Sequence, residues 1–404
     1  MPLLQIQKMM DNNTEHRHKR RVYLDNSATT QPYPEVILKM GQVMYDTYGN
    51  PSSQHSAGHD ARITVEQARR TIASLTGALP SEIFFTSGGT ESDNTVLRAA
   101  RGMGIRRIIS SHTEHHAVTA TLGAIVAENA SFLPHMNISA EYVDLDTHGR
   151  IDMAGLENML RVSDGKTLVS LMHANNETGN LYDLKAIGEL CRKYGALFHT
   201  DAVQTAGHYP LDLKELPVDF LSASAHKFHG PKGVGFLFAR SGTGLRPMIS
   251  GGEQERGMRS GTENVPAIAA MALAFQMGHD DMDADREHVL SLKKRLLEGL
   301  SVINGVRFNG LCECEDESMY SLVSVTLPVK KDSGMALLAL DMAGVEVSAG
   351  SACMSGAWRP SEVISRLYGP SDDMPGCPTL RISMSKFNTT DDIDFAVAAI
   401  RKLV

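Results

Sequence analysis

From residue 22 to about residue 240, short β-forming runs alternate with stretches whose apolar residues recur at helical spacing. The runs that resemble strands are EIFFTS, RRIISS, KTLVSLMHA, ALFHTDAV, DFLSASA and VGFLFAR. Helical patterns such as HHAVTATLGAIVA and LKAIGELCRKYG separate several of them. This order predicts an α/β fold in which helices cover a mostly parallel sheet. Ligands of such sheets bind at the carboxyl ends of the strands, so we expect the chemistry just after each run.

The pattern changes after about residue 270, where an amphipathic helix, DREHVLSLKKRLLEGL, begins a second region. Its candidate buried face consists of Val289, Leu290, Leu292, Leu296 and Leu297. Strand-like runs and a threonine-capped helix, TTDDIDFAVAAIRKLV, follow, which is typical of an α+β domain. Because 404 residues exceed what one compact core usually supports, we predict two domains. They are a large domain over 22–265 and a small domain over 266–404, after a flexible leader over 1–21.

Composition and charge exclude several classes of function. A net charge of -8 argues against nucleic acid as a partner, because phosphate contacts need clustered Lys and Arg. No apolar run approaches the roughly 18 residues of a membrane span, so we expect no membrane insertion. The leader lacks a signal peptide's apolar core and carries Asp11 and Glu15, which predicts a cytoplasmic protein. Five scattered cysteines fit reduced thiols rather than a disulfide framework.

Polar residues that could bind a ligand or take part in a reaction follow the predicted strands. The segment SGGTESDN, residues 87–94, leads from a strand into a helix whose first N–H groups are free to bind an anion. It lacks the GK[ST] of a nucleotide-binding loop, so a single phosphate suits it better than a triphosphate. A tight turn with a threonine cap remains an alternative reading of this segment.

Two charged side chains are expected near this helix start. Asp201 follows the run ALFHT, and Lys227 emerges after the next run, DFLSASA. A buried carboxylate is costly without a positive partner, although Asp201 could also cap the following turn. A phosphate anchor, a carboxylate and a lysine together are what pyridoxal 5′-phosphate requires. Asp201 would keep the ring nitrogen protonated, and Lys227 would bind the aldehyde covalently.

From Tyr23 to the C-terminus, the sequence resembles the cysteine desulfurases of the NifS/IscS type, which are fold-type I pyridoxal-phosphate enzymes. The resemblance rests on ten motifs in the order of the family: YLDNSATT, GNPSSQHSAG, TSGGTESDN, TEHHAV, ANNETG, HTDAVQTAG, SAHKFHGPKG, RSGTENVP, GSAC and LRISMSKFNTTDDID. It implies a large domain with a mostly parallel seven-stranded sheet flanked by helices, and a smaller α+β domain that carries the catalytic cysteine.

The resemblance also implies roles for individual residues. Lys227 holds the cofactor and removes a substrate proton, Asp201 pairs with the ring nitrogen, and His115 stacks on the ring and moves protons. The phosphate would be held by Gly89, Thr90, Ser224 and His226. Asn176 and Gln204 would lie near the phenolic oxygen of the ring. Asn176 and Arg381 would bind the substrate, with Arg381 gripping its carboxylate. Thr262 would reach the phosphate of the neighbouring subunit's cofactor, which implies a homodimer.

Cys353 is the candidate nucleophile, because small residues surround it in VSAGSACMSGA and no apolar periodicity would bury it. The resemblance implies that it takes sulfur from L-cysteine as a persulfide, leaves L-alanine, and passes the sulfur to an iron-sulfur scaffold or a thiolation enzyme. A tolerated surface cysteine is the alternative. Cys191 has core spacing, Cys312 and Cys314 are predicted on a surface loop, and Cys377 is undecided.

Three other functions stay open at this point. A selenocysteine lyase would not depend on Cys353, and a sulfur-assembly scaffold without activity would not need Lys227 and Asp201. A metal-binding protein would use His112, Glu114, His115 and His116, but adjacent histidines point apart, so we predict no metal site.

Three positions depart from the usual pattern of the family. Gly89 stands where alanine is common, and Lys386 stands in the place of a frequent arginine. Ala225 replaces a glycine, and we expect its methyl group to lie beside the phosphate pocket. None of these changes removes a reactive group.

Overall fold

The computed structural model describes residues 20–129, 137–162, 165–330, 333–350, 361–369 and 372–404. Within these ranges the strands are β1 (Val22–Tyr23), β2 (Ile83–Thr86), β3 (Arg107–Ser110), β4 (Ser139–Tyr142), β5 (Thr167–Ser170), β6 (Leu197–Asp201), β7 (Phe220–Ser224), β8 (Gly235–Ala239), β9 (Arg307–Phe308), β10 (Leu322–Thr326), β11 (Val345–Glu346) and β12 (Thr379–Ser383). The α-helices are α1 (Pro34–Asp46), α2 (Ser56–Thr76), α3 (Gly89–Ala99), α4 (His116–Glu128), α5 (Met153–Arg161), α6 (Leu184–Lys193), α7 (Val265–Asp280), α8 (Met282–Ser301), α9 (Ser333–Ala343), α10 (Glu362–Tyr368) and α11 (Thr390–Arg401). None of the helices in these ranges is long and apolar enough to cross a membrane.

A seven-stranded sheet forms the centre of the large domain, with the strand order β2-β8-β7-β6-β5-β3-β4. The pairs from β7 through β6, β5 and β3 to β4 are parallel, whereas β8 runs antiparallel to both β7 and β2. The predicted α/β fold with a mostly parallel sheet is therefore confirmed. The edge strand β4 was not predicted, because its sequence SAEY is polar and no residue of it is fully buried.

Both faces of this sheet are covered, which explains why its strands are continuous apolar runs rather than alternating ones. Successive residues of a strand point to opposite faces. Thus Ile109 and Val169 lie in one hydrophobic core with residues of α1, α2 and α7. Their neighbours Ile108 and Leu168 lie in a second core with residues of α3 and α4.

The small sheet, with the strand order β12-β10-β9, packs against α8 and α11. The predicted face of α8 is confirmed for Val289, Leu292 and Leu296, which are buried together with Leu300. Leu290 and Leu297, also predicted on that face, are only partly buried at its edge. The predicted threonine cap of α11 is Thr389, whose hydroxyl accepts from the N–H of Asp392.

The hydrophobic cores do not follow the predicted boundary between residues 265 and 266. The domain ranges 22–265 and 266–404 remain predictions. The first strand, β1, pairs in parallel with β11, and Val22 and Leu24 lie in the core of the small domain. Conversely, most of α7 packs in the first core of the large domain. The start of the chain and the helix after residue 265 therefore pack across the predicted boundary.

The cysteines differ in their surroundings. Cys191 is buried as predicted, and burial raises the pKa of its thiol to about 12. The prediction that Cys312 lies on a surface loop is wrong, because the residue is 1% exposed and its Sγ lies 3.5 Å from the carbonyl of Ser324. Cys314 is exposed and Cys377 is half-buried. Cys353 lies outside the described residues.

Candidate active site

A cavity of about 540 Å³ opens at the carboxyl ends of β6 and β7, next to the start of α3. Ten of the predicted site residues line it: Gly89, Thr90, His115, Asn176, Asp201, Gln204, Ser224, His226, Lys227 and Arg381. Thr262 is exposed on the loop before α7 and lies outside the cavity of its own chain. The fold therefore brings together, in one place, residues that are separated by up to 292 positions, from Gly89 to Arg381.

One end of the cavity is built to receive an anion. Helix α3 begins at Gly89 with Gly88 as its N-cap, so its first backbone N–H groups face the cavity. Gly88 has a φ of 150°, and a methyl group added there would lie 3.3 Å from Ser224 Oγ. Thr90 lies inside the helix and does not cap it, which answers the alternative reading of this segment. Close backbone approach of this kind suits a phosphate.

Gly89, which departs from the family pattern, is explained by its neighbour Val203. A methyl group added to Gly89 would lie 2.5 Å from Val203 Cγ2. That separation is far below van der Waals contact, so a methyl group at position 89 would overlap the side chain of Val203 unless this side chain moved. The departure therefore preserves the shape of the anion site.

Asp201 ends β6, lines the same cavity and is 7% exposed. Its Oδ1 accepts a hydrogen bond of 2.9 Å from the N–H of Val203. Burial, and secondarily the negative charge of Asp93, raise the pKa of Asp201 to about 6, while His115 opposes the shift. A cation bound here would lower that pKa and stabilise the carboxylate. The position thus fits the protonated nitrogen of a pyridine ring.

Behind Asp201 lies a buried polar layer that the sequence analysis missed. Asp93 Oδ1 lies 3.5 Å from His199 Nε2 and has no hydrogen-bond partner among the described residues. The ring of His199 also bonds to Ser170 Oγ at 2.9 Å and to Ser222 Oγ at 3.1 Å. The available signal was His199 itself, a polar residue in an apolar strand and two positions from Asp201, hence on the same face.

Lys227 lies in the 3₁₀ turn Ala225–Lys227 that follows β7. Its Nζ donates hydrogen bonds to the carbonyls of Ser27 and Ala28, the latter at 3.0 Å. Gln204 Nε2 donates to the same Ser27 carbonyl at 3.0 Å. The only other lysine among the described residues lining the cavity is Lys232, which is exposed. Lys227 is therefore the amine that the fold holds inside the site.

His115 is the N-cap of α4, and its ring faces the cavity. Its Nδ1 accepts a hydrogen bond of 3.1 Å from the N–H of Ala117. In the neutral ring this bond places the proton on Nε2. His112 instead stacks on Tyr142, with centroids 3.8 Å apart. Over the ranges that the structure describes, no three His, Cys, Asp or Glu residues are grouped as metal ligands.

Arg381 comes from β12 of the small domain and is 2% exposed. Its Nη2 pairs with Asp25 Oδ1 at 2.9 Å, and its Nη1 donates to the carbonyl of Asn176 at 3.0 Å. The Nε atom has no hydrogen-bond partner in the described part of the chain. A buried guanidinium with a donor to spare suits a carboxylate ligand.

The expectation for Ala225 is wrong. Ala225 is fully buried in the first core, and a methyl group added to Gly230 would lie 2.8 Å from its Cβ. The methyl group of Ala225 therefore packs toward Gly230 rather than into the phosphate pocket. Lys386, the third departure, binds Asp281 at 2.8 Å and Asp285 at 2.9 Å.

Comparisons with known proteins agree with this geometry. The aminotransferase class-V family model matches residues 22–395. A cysteine desulfurase IscS from Dictyoglomus turgidum is 38% identical over 395 residues, covering 96% of this chain and 95% of that protein. A solved structure of a NifS-like protein superposes with a TM-score of 0.85 at 34% identity, covering 95% of this chain and 99% of that one.

A second solved structure, SspA in complex with cysteine, matches with a TM-score of 0.73 at 28% identity, covering 91% of this chain and 99% of that chain. The match to the family model and the likeness to these relatives extend over nearly the whole chain. The chain therefore belongs to the aminotransferase class-V family and, within it, to the cysteine desulfurases of the NifS/IscS type, whose cofactor is pyridoxal 5′-phosphate.

Proposed function

We propose that this cysteine desulfurase converts L-cysteine to L-alanine in the cavity described above and leaves the sulfur on Cys353 as a persulfide. The observation that carries the proposal is the convergence of Lys227, Asp201 and Arg381 on one cavity. These three side chains supply an amine, a buried carboxylate and a carboxylate-binding guanidinium. The binding of cysteine by the related SspA supports the choice of substrate.

The residues of the cavity fit pyridoxal 5′-phosphate. The N–H groups at the start of α3, with Thr90, Ser224 and His226, would hold the phosphate. Asp201 would pair with the ring nitrogen, and Lys227 would hold the aldehyde carbon through Nζ. His115 would stack on the ring, while Asn176 and Gln204 would lie near its phenolic oxygen. When bound, the cofactor supplies a ring that accepts electrons from the substrate's Cα.

The side chains of this protein would then act in turn. Arg381 binds the substrate carboxylate, and Lys227 Nζ takes the proton from Cα. The thiolate of Cys353 attacks the substrate sulfur, so a sulfur–sulfur bond forms while the carbon–sulfur bond breaks and carbon keeps the electron pair. His115 Nε2–H donates the proton that completes alanine. Sulfur is oxidised as carbon is reduced, so no external oxidant is needed.

The persulfide would next pass to an acceptor protein, either an iron-sulfur scaffold or a thiolation enzyme, and we place this exchange in the cytoplasm. Detection of the chain mainly in a membrane or secreted fraction of its host would contradict that location. Capture of a persulfide-linked complex with a purified iron-sulfur scaffold or thiolation enzyme would test the proposed acceptor. A wild-type persulfide that transfers sulfur to neither class of protein would refute this proposal.

We also propose a homodimer in which Thr262 completes the partner's phosphate site. Thr262 lies on an exposed loop whose base is anchored by Glu255. Glu255 is 5% exposed and accepts hydrogen bonds from Arg69 Nη2 at 2.7 Å and from the N–H of Phe85 at 2.8 Å. A loop held this firmly can present a hydroxyl to a second subunit.

The first prediction concerns the lysine. Borohydride reduction of the yellow wild-type protein should fix the cofactor to the Lys227 peptide, as read by mass spectrometry. In Lys227→Ala no peptide should be modified, and alanine production should fall by at least about 10²- to 10⁴-fold, the range of a lost general base. Lys232→Ala serves as the control and should behave as the wild type. Attachment to Lys232 in the wild type would refute the assignment.

The second prediction concerns the charge of Asp201 in the cofactor-free protein. Because its pKa is raised to about 6 in the folded protein, the folded state holds a proton that the unfolded chain has already released. This group therefore lowers the free energy of unfolding as pH rises from about 4 to about 6, and the loss persists above pH 6. Asn cannot ionise, yet its Oδ1 can still accept from Val203.

Accordingly, cofactor-free Asp201→Asn should be more stable than the cofactor-free wild type at pH 8, by up to about 3 kcal/mol for a two-unit shift, and equal to it near pH 4. Urea unfolding at both pH values measures this difference. The same variant should bind the cofactor more weakly, which an absorbance titration measures. Equal stability at pH 8 would contradict the electrostatic account.

The third prediction tests the shared site. Thr262→Ala should raise the dissociation constant of the cofactor about tenfold or more, because a hydrogen bond to a charged group is worth roughly 1.5–3 kcal/mol. Thr147→Ala, an exposed control, should leave the constant unchanged. Sedimentation should show a dimer for both variants. A monomer that binds the cofactor with full affinity would disprove the arrangement.

The fourth prediction tests the function itself. Cys353→Ala should still bind cysteine and change the visible spectrum of the cofactor, because these steps need Lys227 and Arg381 but no enzyme thiol. Alanine production should fall at least a hundredfold. External thiols should restore little of it, since an intramolecular nucleophile acts at a high effective concentration. Wild type given cysteine without reductant should gain one sulfur atom on the Cys353 peptide.

The Cys353→Ala variant also distinguishes the proposed desulfurase from a selenocysteine lyase. Near-normal production of alanine from cysteine by Cys353→Ala, or added sulfur only on Cys377 or Cys312, would exclude the route through a persulfide of Cys353. Full activity of this variant with selenocysteine together with no activity of the wild type toward cysteine would indicate a selenocysteine lyase.

A further inference from the structure

An ion pair joins the anion-binding start of α3 to the loop that carries Thr262, and the chemistry proposed above does not use it. Glu91 lies in the first turn of α3 and lines the cavity. Arg259 lies on the loop before α7, and its Nε donates to Glu91 Oε1 at 3.0 Å. Its Nη2 also donates to Glu91 Oε2, at 3.4 Å. The pair is therefore bidentate, a geometry in which arginine binds a carboxylate specifically.

The carboxylate of Glu91 stabilises the turn that leads from β2 into α3. Its Oε2 accepts a hydrogen bond of 2.8 Å from the N–H of Ser87, the residue before the N-cap Gly88. Burial by itself would raise the pKa of Glu91, but the hydrogen bonds from Arg259 and Ser87 outweigh burial and hold the pKa below its usual value. Glu91 therefore carries a negative charge at neutral pH, in the same turn as the backbone N–H groups that face the cavity.

This negative charge opposes phosphate binding at the helix start. The free N–H groups there act as roughly +0.5 of an elementary charge, which is less than the full charge of a carboxylate. His226 lines the same cavity but stays neutral, because burial and then the charge of Lys227 lower the pKa of its ring to about 4. Lys232 is exposed, so water and salt screen its charge. Without a cation beside Glu91, the start of α3 would repel a phosphate.

The fold of its own loop holds Arg259 in place. Ile249 and Arg259 form a parallel backbone bridge. The next residue, Ser260, donates through Oγ to the carbonyl of Gly252 at 2.7 Å. The side chains of Arg259 and Glu91 are 29% and 8% exposed, so the pair is partly shielded from water. Its charges are therefore screened less than those of a fully exposed surface pair.

We propose that Arg259 neutralises Glu91 and thereby allows the start of α3 to bind the phosphate of the cofactor. Glu91 stabilises the turn, and Arg259 cancels the charge that Glu91 would otherwise add to the phosphate site. Within the described part of the chain, Glu91 lines the cavity and Arg259 does not, so the arginine acts through the carboxylate. The inference rests on the phosphate position given under the proposed function.

Binding of the cofactor to the full-length, cofactor-free protein tests this role. Absorbance titrations measure the dissociation constants of pyridoxal 5′-phosphate and of pyridoxal, which lacks the phosphate. In Arg259→Gln the constant for pyridoxal 5′-phosphate should rise about tenfold or more, because an uncompensated negative charge then lies beside the phosphate. The constant for pyridoxal should stay within about twofold of the wild type. Inorganic phosphate should compete with the cofactor about tenfold less well.

The variant Glu91→Gln separates the effect of charge from that of structure. Glutamine keeps an oxygen that accepts from the N–H of Ser87 but carries no charge, so cofactor affinity should stay within about threefold of the wild type or increase. In the double variant, Arg259→Gln with Glu91→Gln, affinity should return to within about threefold of Glu91→Gln. Displacement of the loop or of Thr262 would instead leave the double variant as weak as Arg259→Gln.

Two further variants supply controls. Arg98→Gln breaks an exposed ion pair with Glu128 in the last turn of α3, and its constants should equal those of the wild type. Arg259→Lys keeps the positive charge but loses the bidentate geometry, so its constant for the cofactor should stay within about threefold. If Arg259→Gln does not fold, tenfold weaker binding by Arg259→Lys, or by the double variant relative to Glu91→Gln, overturns the role.

The outcomes distinguish this inference from the proposed function. A wild type that binds pyridoxal as tightly as pyridoxal 5′-phosphate would refute the phosphate position itself. With the wild-type preference for the phosphate intact, an unchanged constant in Arg259→Gln overturns the charge-balancing role alone. Equal weakening for both ligands, or no recovery in the double variant, also overturns it, because Arg259 would then only support the fold of its loop.

Discussion

The parallel register of β5, β6 and β7 is the constraint on which the site depends. Ser170 pairs with His199, and Asp201 pairs with Ser222, so the three strands end at one edge of the sheet. Lys227 follows β7 by one short turn and reaches that edge. Antiparallel β8 pairs with β7 on its other side, and α3 presents its N-terminus to the same edge. A carboxylate, an amine and an anion site therefore meet without any long loop.

This edge concentrates buried negative charge. Asp93, Glu114 and Asp201 are all nearly inaccessible to solvent, and burial raises the pKa of Glu114 well above its usual range. Such groups destabilise a protein unless they have protons or cations as partners. A protonated cofactor ring would supply Asp201 with a cation, so binding of the ring would offset the cost of burying this carboxylate. The buried carboxylates lower the stability of the protein but favour binding of a cationic ring, a trade-off that is common at functional sites.

The small domain contributes a buried guanidinium to the cavity at the edge of the large sheet. Arg381 on β12 projects a guanidinium into the cavity of the large domain. The N-terminal motif connects the two domains, because Asn26 Nδ2 donates to the carbonyl of Ser383 while the carbonyl of Ser27 accepts from Lys227. The residues proposed for substrate binding and for cofactor attachment are therefore joined through the hydrogen bonds of the N-terminal motif.

The sequence by itself determined the alternation of strands and helices, the passage from strand to helix within SGGTESDN, and the roles proposed for Asp201 and Lys227, because these follow from local spacing and residue chemistry. Resemblance to a family was needed for Asn176, Gln204 and Arg381, whose local patterns are not distinctive. Only the tertiary structure decided that Cys312 is buried, that Ala225 packs away from the phosphate, that Asp93 meets His199, and that Glu91 meets Arg259. Each of these depends on which of many distant segments becomes a neighbour, and that outcome is set by the packing of the whole chain, which no local pattern of residues encodes.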